Sequence, residues 1–253
     1  MAYPIHSAAL DHGDEFPHLS RSPLVETVLE WRAEPIAQVS PENVKEFLAE
    51  RFNGYSILRT HDVEATIAQG KEGLEVAEKS EHSGFRLASE DGRVVCLLRF
   101  NGVAVSRLAP YCGWSEFIMQ ARPFRDAFLE MFKSSHFSRL GVRSINRVTV
   151  PPNKSLRGIL RGFSNPWDKI GLGASAFFHQ DSLRTLDSDY GVRVVRAMDP
   201  AVDGEDRNFY VDIDVTYQGC VSPEESDERM AQMRSLKNRV FFHIVPNAVR
   251  RFG

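Results

Sequence analysis

The sequence predicts an α+β protein of two similar repeats, each running strand, helix, antiparallel meander and long helix, with the helices packed on one face of antiparallel sheet. Three observations predict it. Opening strands begin near residues 24 and 138, first helices near 41 and 154, and long helices near 115 and 223. Each offset is roughly 110 residues, as a duplicated unit requires, although residue identity between the halves is weak. Asp91-Gly92 and Asn101-Gly102 are hairpin signals, because type I′ turns need positive φ at both central positions. Ser40-Pro41 and Ser222-Pro223 read as an N-cap followed by proline at the first helical position. The implied division is a flexible N-terminal arm over 1–20, a first repeat over 21–136, and a second repeat over 137–253 packed against the first.

In the first half, Leu24–Trp31 is rich in β-branched and aromatic residues and predicts a strand. Asn43–Phe52 continues the helix begun at Ser40, with Val44, Phe47 and Leu48 on one face. A polar stretch containing Gly70 and Gly73 follows. Phe85–Ser89, Arg93–Phe100 and Val103–Ala109 make a three-stranded meander. A long helix over Ser115–Ser134 carries Phe117, Ile118, Phe124, Phe128, Leu129 and Phe132 at helical spacing, and Pro123 is expected to kink or split it. In the second half, Ser138–Val150 predicts a long strand and Lys154–Arg161 a short helix. Further strands are predicted at Ser182–Asp187, Val192–Met198 and Asn208–Tyr217. Glu225 completes a capping box with Ser222 and launches a helix through Met230, Met233, Leu236, Val240 and Phe241.

The chain has 253 residues, 42% hydrophobic and 26% charged, enough to bury a substantial core without disulfides or metals. A formal charge of −3 gives no global reason to bind nucleic acid or acidic membranes. Cys96, Cys112 and Cys220 show no zinc spacing and read as free thiols of a reducing compartment, with Cys112 beside Gly113 expected to be the most exposed. The first residues hold acids and His6, His12 and His18 but no apolar run, so no signal peptide and no membrane span are expected, and the location is expected to be cytoplasmic. No phosphate loop, dinucleotide fingerprint, nucleophile elbow or HExxH occurs. Gly171–Ala176 reads as a plain loop and His243 as a packed core or interface residue.

Five strings taken together resemble a sporadically distributed family of uncharacterised prokaryotic proteins. They are Ser22–Glu26, Ser106–Trp114, Arg139–Arg147, Val211–Val215 and Leu236–Phe242, and the resemblance spans about residues 20 to 245. It implies a cytosolic accessory protein with no established activity or catalytic residues, and patchy distribution suits a defence-related role.

Two groups of residues are candidates for a ligand or partner surface. Strand alternation puts Arg139, Arg143 and Arg147 on one face of Ser138–Val150, and Asp212 with Asp214 on one face of Asn208–Tyr217. Arg143, Arg147, Asp212 and Asp214 are expected to share a polar sheet face, where arginine forks would hold a carboxylate or phosphate. The plainer reading, and the preferred one, is a cross-strand salt ladder on a solvated face. Asp212 and Asp214 would hold a divalent cation only with a third carboxylate, for which Glu26 or Glu30 must lie on a neighbouring strand. The second group is Arg107, Tyr111 and Trp114, where a strand turns into the long helix. It reads either as an anion or stacking contact at a helix N-terminus or, preferably, as a plug in the junction.

The reading of function is a non-catalytic binding or assembly protein with a protein partner or homo-oligomeric state, and no cofactor and no metal. One alternative is nucleic-acid binding through Arg99, Arg107, Arg143 and Arg147. The other is a metal-dependent enzyme acting on a phosphorylated substrate through Asp212 and Asp214.

Overall fold

A computed structural model describes residues 16–35, 37–70, 73–152, 160–161, 170–186, 189–200 and 204–253, with backbone alone over 62–70 and 73–81. The strands are β1 (Leu24–Arg32), β2 (Ser56–Gly70), β3 (Gly73–Ala88), β4 (Val94–Arg99), β5 (Gly102–Leu108), β6 (Phe137–Val150), β7 (Phe177–Arg184), β8 (Tyr190–Met198) and β9 (Arg207–Val221). The helices are α1 (Pro41–Arg51), α2 (Trp114–Phe132), α3 (Pro223–Ile244) and α4 (Ala248–Phe252). All nine strands join one antiparallel sheet in the order β2-β3-β4-β5-β1-β6-β9-β8-β7.

This overturns the expectation of two repeats, each with helices packed on its own unit. The sheet dominates the molecule, and its strands cross the boundary between the halves through the β1–β6 ladder. The polar stretch containing Gly70 and Gly73, to which the sequence reading assigned no element, belongs to the sheet. Gly70 pairs with Gly73 at the end of a long hairpin, 15 residues of β2 against 16 of β3, and no hairpin of that length is described in the second half. Most of the helix expected at Lys154–Arg161 lies outside the described residues, as do His6 and His12.

One sheet face is apolar and the other is not, because each strand alternates. Leu29 and Trp31 of β1, Val103 and Val105 of β5, Leu140 and Val142 of β6, and Val211, Ile213 and Val215 of β9 are buried in one cluster. Phe117, Phe124 and Phe128 of α2 and Met230, Met233 and Leu236 of α3 cover that face. α2 lies against β4 and β5, and α3 against β6 and β9. Burying such aromatic side chains contributes on the order of 1.5–3 kcal/mol each before the entropy cost of ordering them.

Local chemistry sets the elements. In the β3–β4 turn, Asp91 accepts from the Ser89 hydroxyl at 2.7 Å and from the Arg93 N–H at 3.0 Å, while Gly92 takes φ +67°. The Ser222 hydroxyl accepts from the Glu225 N–H and the Glu225 carboxylate from the Ser222 N–H, closing the expected capping box at the start of α3. Pro123 does not split α2, which runs on as a single helix. Its ring is exposed, so the Met119 carbonyl it leaves unpaired lies on the solvent side, Met119 itself being 60% exposed. The end of the N-terminal segment is tied to the C-terminus: Phe16 stacks on Phe242, and the Arg21 N–H donates to the Phe252 carbonyl.

Candidate binding face on the open side of the sheet

The face turned away from α2 and α3 carries the charges. β6 lies between β1 and β9, with Arg143 opposite Asp214 in register, Ile145 opposite Asp212 and Arg147 opposite Tyr210. The Arg143 guanidinium reaches diagonally to Asp212, with Nε donating to Oδ1 at 2.8 Å and a terminal nitrogen to Oδ2 at 2.7 Å, a bidentate fork. Those hydrogen bonds raise the Arg143 pKa above its ordinary value. Asp214 takes its arginine from the other side, from Arg193 of β8 at 3.2 Å. The two aspartates therefore do not combine. Each is neutralised by a different strand.

A second knot lies on β1. Glu30 accepts from Arg32 Nε at 2.8 Å and is also paired with Arg139 of β6. It rests over Gly141, where a β-carbon would come within 3.2 Å of the carboxylate, so the missing side chain is what lets Glu30 lie flat between two arginines. Beside it is a hollow of about 190 Å³ lined by Arg32, Arg99, Asn101 and the backbone of Gly102. Arg147 is exposed at the far end of β6 beside Tyr210, whose hydroxyl donates to Asp199 at 3.1 Å. Glu26 is also on this face and feels Arg143. β6 separates β1 from β9, so neither Glu26 nor Glu30 is on a strand adjacent to Asp212 and Asp214. Among the described residues no group of three His, Cys, Asp or Glu side chains is placed to hold a metal ion.

Arg107, Tyr111 and Trp114 lie on the opposite side. Arg107 follows Val103 and Val105 in the β5 alternation, and since those two are core residues, it belongs to the helix face and not among the open-face arginines. Its neighbours include Tyr55, Asp91 and Cys112. Trp114 opens α2, and Arg234 of α3 stacks over its ring at 5.5 Å. Burial pushes the Tyr111 hydroxyl up to about 12. One turn along α3 from Arg234, burial and that guanidinium pull the Lys237 ammonium down to about 8. Trp114 and Tyr111 are half-buried there, with Arg234 of α3 near both.

Arg32, Arg193, Arg234 and Lys237 escaped the sequence reading, and Glu30 entered it only as a possible metal ligand, not as the partner of two arginines. Alternation marks Glu30 and Arg193 as face residues, but only strand order reveals their partners. Two other expectations change. Cys220 is the exposed thiol, Cys112 is half-buried and Cys96 is buried, its thiol pushed up by desolvation. His243 is exposed beside Arg161 and not packed in the core. Cys220 and His136 border a wider hollow of about 470 Å³ at the ends of β6 and β9.

No helix among the described residues is long and apolar enough to cross a membrane. No family model, no curated protein and no solved structure matches this chain.

Proposed function

We propose that the chain is a non-catalytic binding or assembly protein whose open sheet face receives a protein partner. The observation that carries this reading is the alternation of fixed charges across the middle of the face: Arg32–Glu30–Arg139, then Arg143–Asp212, then Arg193–Asp214. A phosphate backbone tracking these arginines would meet three fixed carboxylates, which opposes a continuous nucleic-acid path. A metal ion would have to strip arginines from Asp212 and Asp214. A protein surface bearing its own mixed charges suits such a pattern, because fixed complementary charges set register and exclude wrong partners more than they add affinity. Arg99 and Arg147 extend this face beyond the paired charges. The resemblance to sporadic prokaryotic accessory proteins and the free thiols suit a cytoplasmic subunit of a larger system.

The test is affinity capture from the native host with the natural chain and with Arg143→Ala plus Asp212→Ala, both shown folded by circular dichroism. One protein, recovered stoichiometrically by the first and lost by the second, supports the reading. Recovery of nucleic acid that salt removes, or equal recovery by both chains, overturns it.

A further inference from the structure

β7 is an edge strand, and no strand among the described residues pairs with its outer side. Natural edges are guarded by lysine, proline, bulges or covering elements, since unpaired N–H and C=O groups invite another strand. The opposite edge shows such guards: β2 carries a register break at Thr60 and His61, and its Arg59 is bridged to Glu42 of α1 at 2.9 Å. β7, Phe177-Phe178-His179-Gln180-Asp181-Ser182-Leu183-Arg184, has no proline, no lysine and no break in its pairing with β8. Phe178 is 68% and Leu183 56% exposed.

The direction of its backbone groups follows from the hairpin turn. The Thr185 N–H donates to the Tyr190 carbonyl, one rung beyond the Arg184–Gly191 pair. Hydrogen-bonded rungs alternate in an antiparallel ladder. Leu183, Asp181, His179 and Phe177 therefore spend their backbone groups on β8, while Phe178, Gln180, Ser182 and Arg184 aim theirs outward.

We propose that this edge pairs antiparallel with β7 of a second copy of the chain about a two-fold axis at Gln180, joining two nine-stranded sheets into one. The register is chosen by charge. With Gln180 on the axis, His179 faces Asp181 of the other copy on both sides, Phe177 faces Leu183, and the outward-aimed Phe178, Gln180 and Ser182 exchange backbone hydrogen bonds. With Asp181 on the axis, two carboxylates meet across the seam, each held only from one side by Arg196 of its own copy at 2.8 Å, and His179 loses its acidic partner. With His179 on the axis, the overlap shortens and Phe177 is set against Asp181. An interface that satisfies itself under a two-fold is isologous and closes at two copies, so no filament follows. The pairing does not depend on what the charged face binds, and it would place two such faces side by side.

Sedimentation equilibrium of the full chain at about 100 μM is the test, since association is concentration-dependent. The expected mass is twice 28.6 kDa. Gln180→Pro removes an N–H that β8 does not use, so the monomer keeps its fold by circular dichroism while the mass falls to that of one chain. In a Cys112→Ser, Cys220→Ser background, Gln180→Cys is expected to cross-link under mild oxidation, because facing Cα atoms of a hydrogen-bonded pair lie about 5.5 Å apart. Ser182→Cys is expected not to, its two copies being roughly 13 Å apart. A monomeric natural chain, a dimer that survives Gln180→Pro, or cross-linking at 182 in place of 180 would each overturn the proposal.

Discussion

Removing Arg143 is expected to cost more than removing Asp212, and the two losses are expected not to add. The fork joins a carboxylate that is 13% exposed to a guanidinium that is 39% exposed. Hydrogen bonds to charged groups in buried sites are worth about 1.5–3 kcal/mol in mutational series. Arg143 is more than a third exposed, so solvent screening brings the pair down towards the top of the range for surface pairs, a coupling of about 1 kcal/mol. Asp212→Ala frees an arginine that can still turn to water, Asp214 or Glu26, both of which already act on it, and should cost about 1 kcal/mol. Arg143→Ala strands a mostly covered carboxylate with Arg193 already committed to Asp214, and should cost about 2 kcal/mol. Urea unfolding of the natural chain, both single variants and the double variant gives all four corners of the cycle. A coupling under about 0.3 kcal/mol, or Asp212→Ala proving the costlier, would show that the fork is a solvated contact and that the face is not preorganised.

Three further outcomes follow from the structure. Lys237 folds with its ammonium desolvated and held down to about 8, so the folded state is penalised below that pH and relieved as pH rises towards the unfolded value. Lys237→Met should therefore stabilise by about 2 kcal/mol at pH 7, with the gain fading between about pH 8 and pH 10.5 in urea titrations at each pH, and a pH-independent gain would refute this cause. Gly84→Ala places a β-carbon 2.1 Å from the Leu98 carbonyl oxygen at φ +150°, and backbone cannot step aside. The expected loss is about 3 kcal/mol by thermal unfolding, and a change near zero would mean that β3 and β4 are less tightly joined there. Ser222→Ala removes one arm of the α3 capping box and should cost about 1 kcal/mol, with Ser222→Asp restoring most of it.

What could be read from the sequence was what short-range chemistry decides. The hairpins at Asp91-Gly92 and Asn101-Gly102, the Ser222–Glu225 cap and the alternation in β6 and β9 each depend on residues within a few positions of one another, although positive φ falls on the glycines and not on Asp91 or Asn101, so neither turn is the type I′ expected. Most of the β2–β3 hairpin escaped the sequence reading, which took 53–84 as a polar stretch although Asp62–Ile67 alternates; only its last part, Phe85–Ser89, was read as strand. Arg143 and Asp212 were placed on one face by alternation alone. That Asp214 belongs to Arg193, and Glu30 to Arg139, depends on which strands become neighbours, and those pairs are set by the packing of segments far apart in the chain. Arg107 was misplaced for a related reason: alternation says that it shares a face with Val103 and Val105, but only the helices decide which face is covered.

The central position of β1 has a consequence for how the molecule is made. β1 leaves a ribosome before every other described strand, yet it ends in the middle of the sheet, flanked by β5 and β6. β5 arrives some 70 residues later and β6 more than 100 later, so the nascent chain assembles β1 to β5 while one side of β1, Leu24–Arg32, waits unpaired. β6 fills that side only to expose its own until β9 emerges. Truncated or stalled chains ending before residue 137 thus carry a sticky central strand and should aggregate or recruit chaperones, whereas chains that reach β9 have covered the open sides of both β1 and β6.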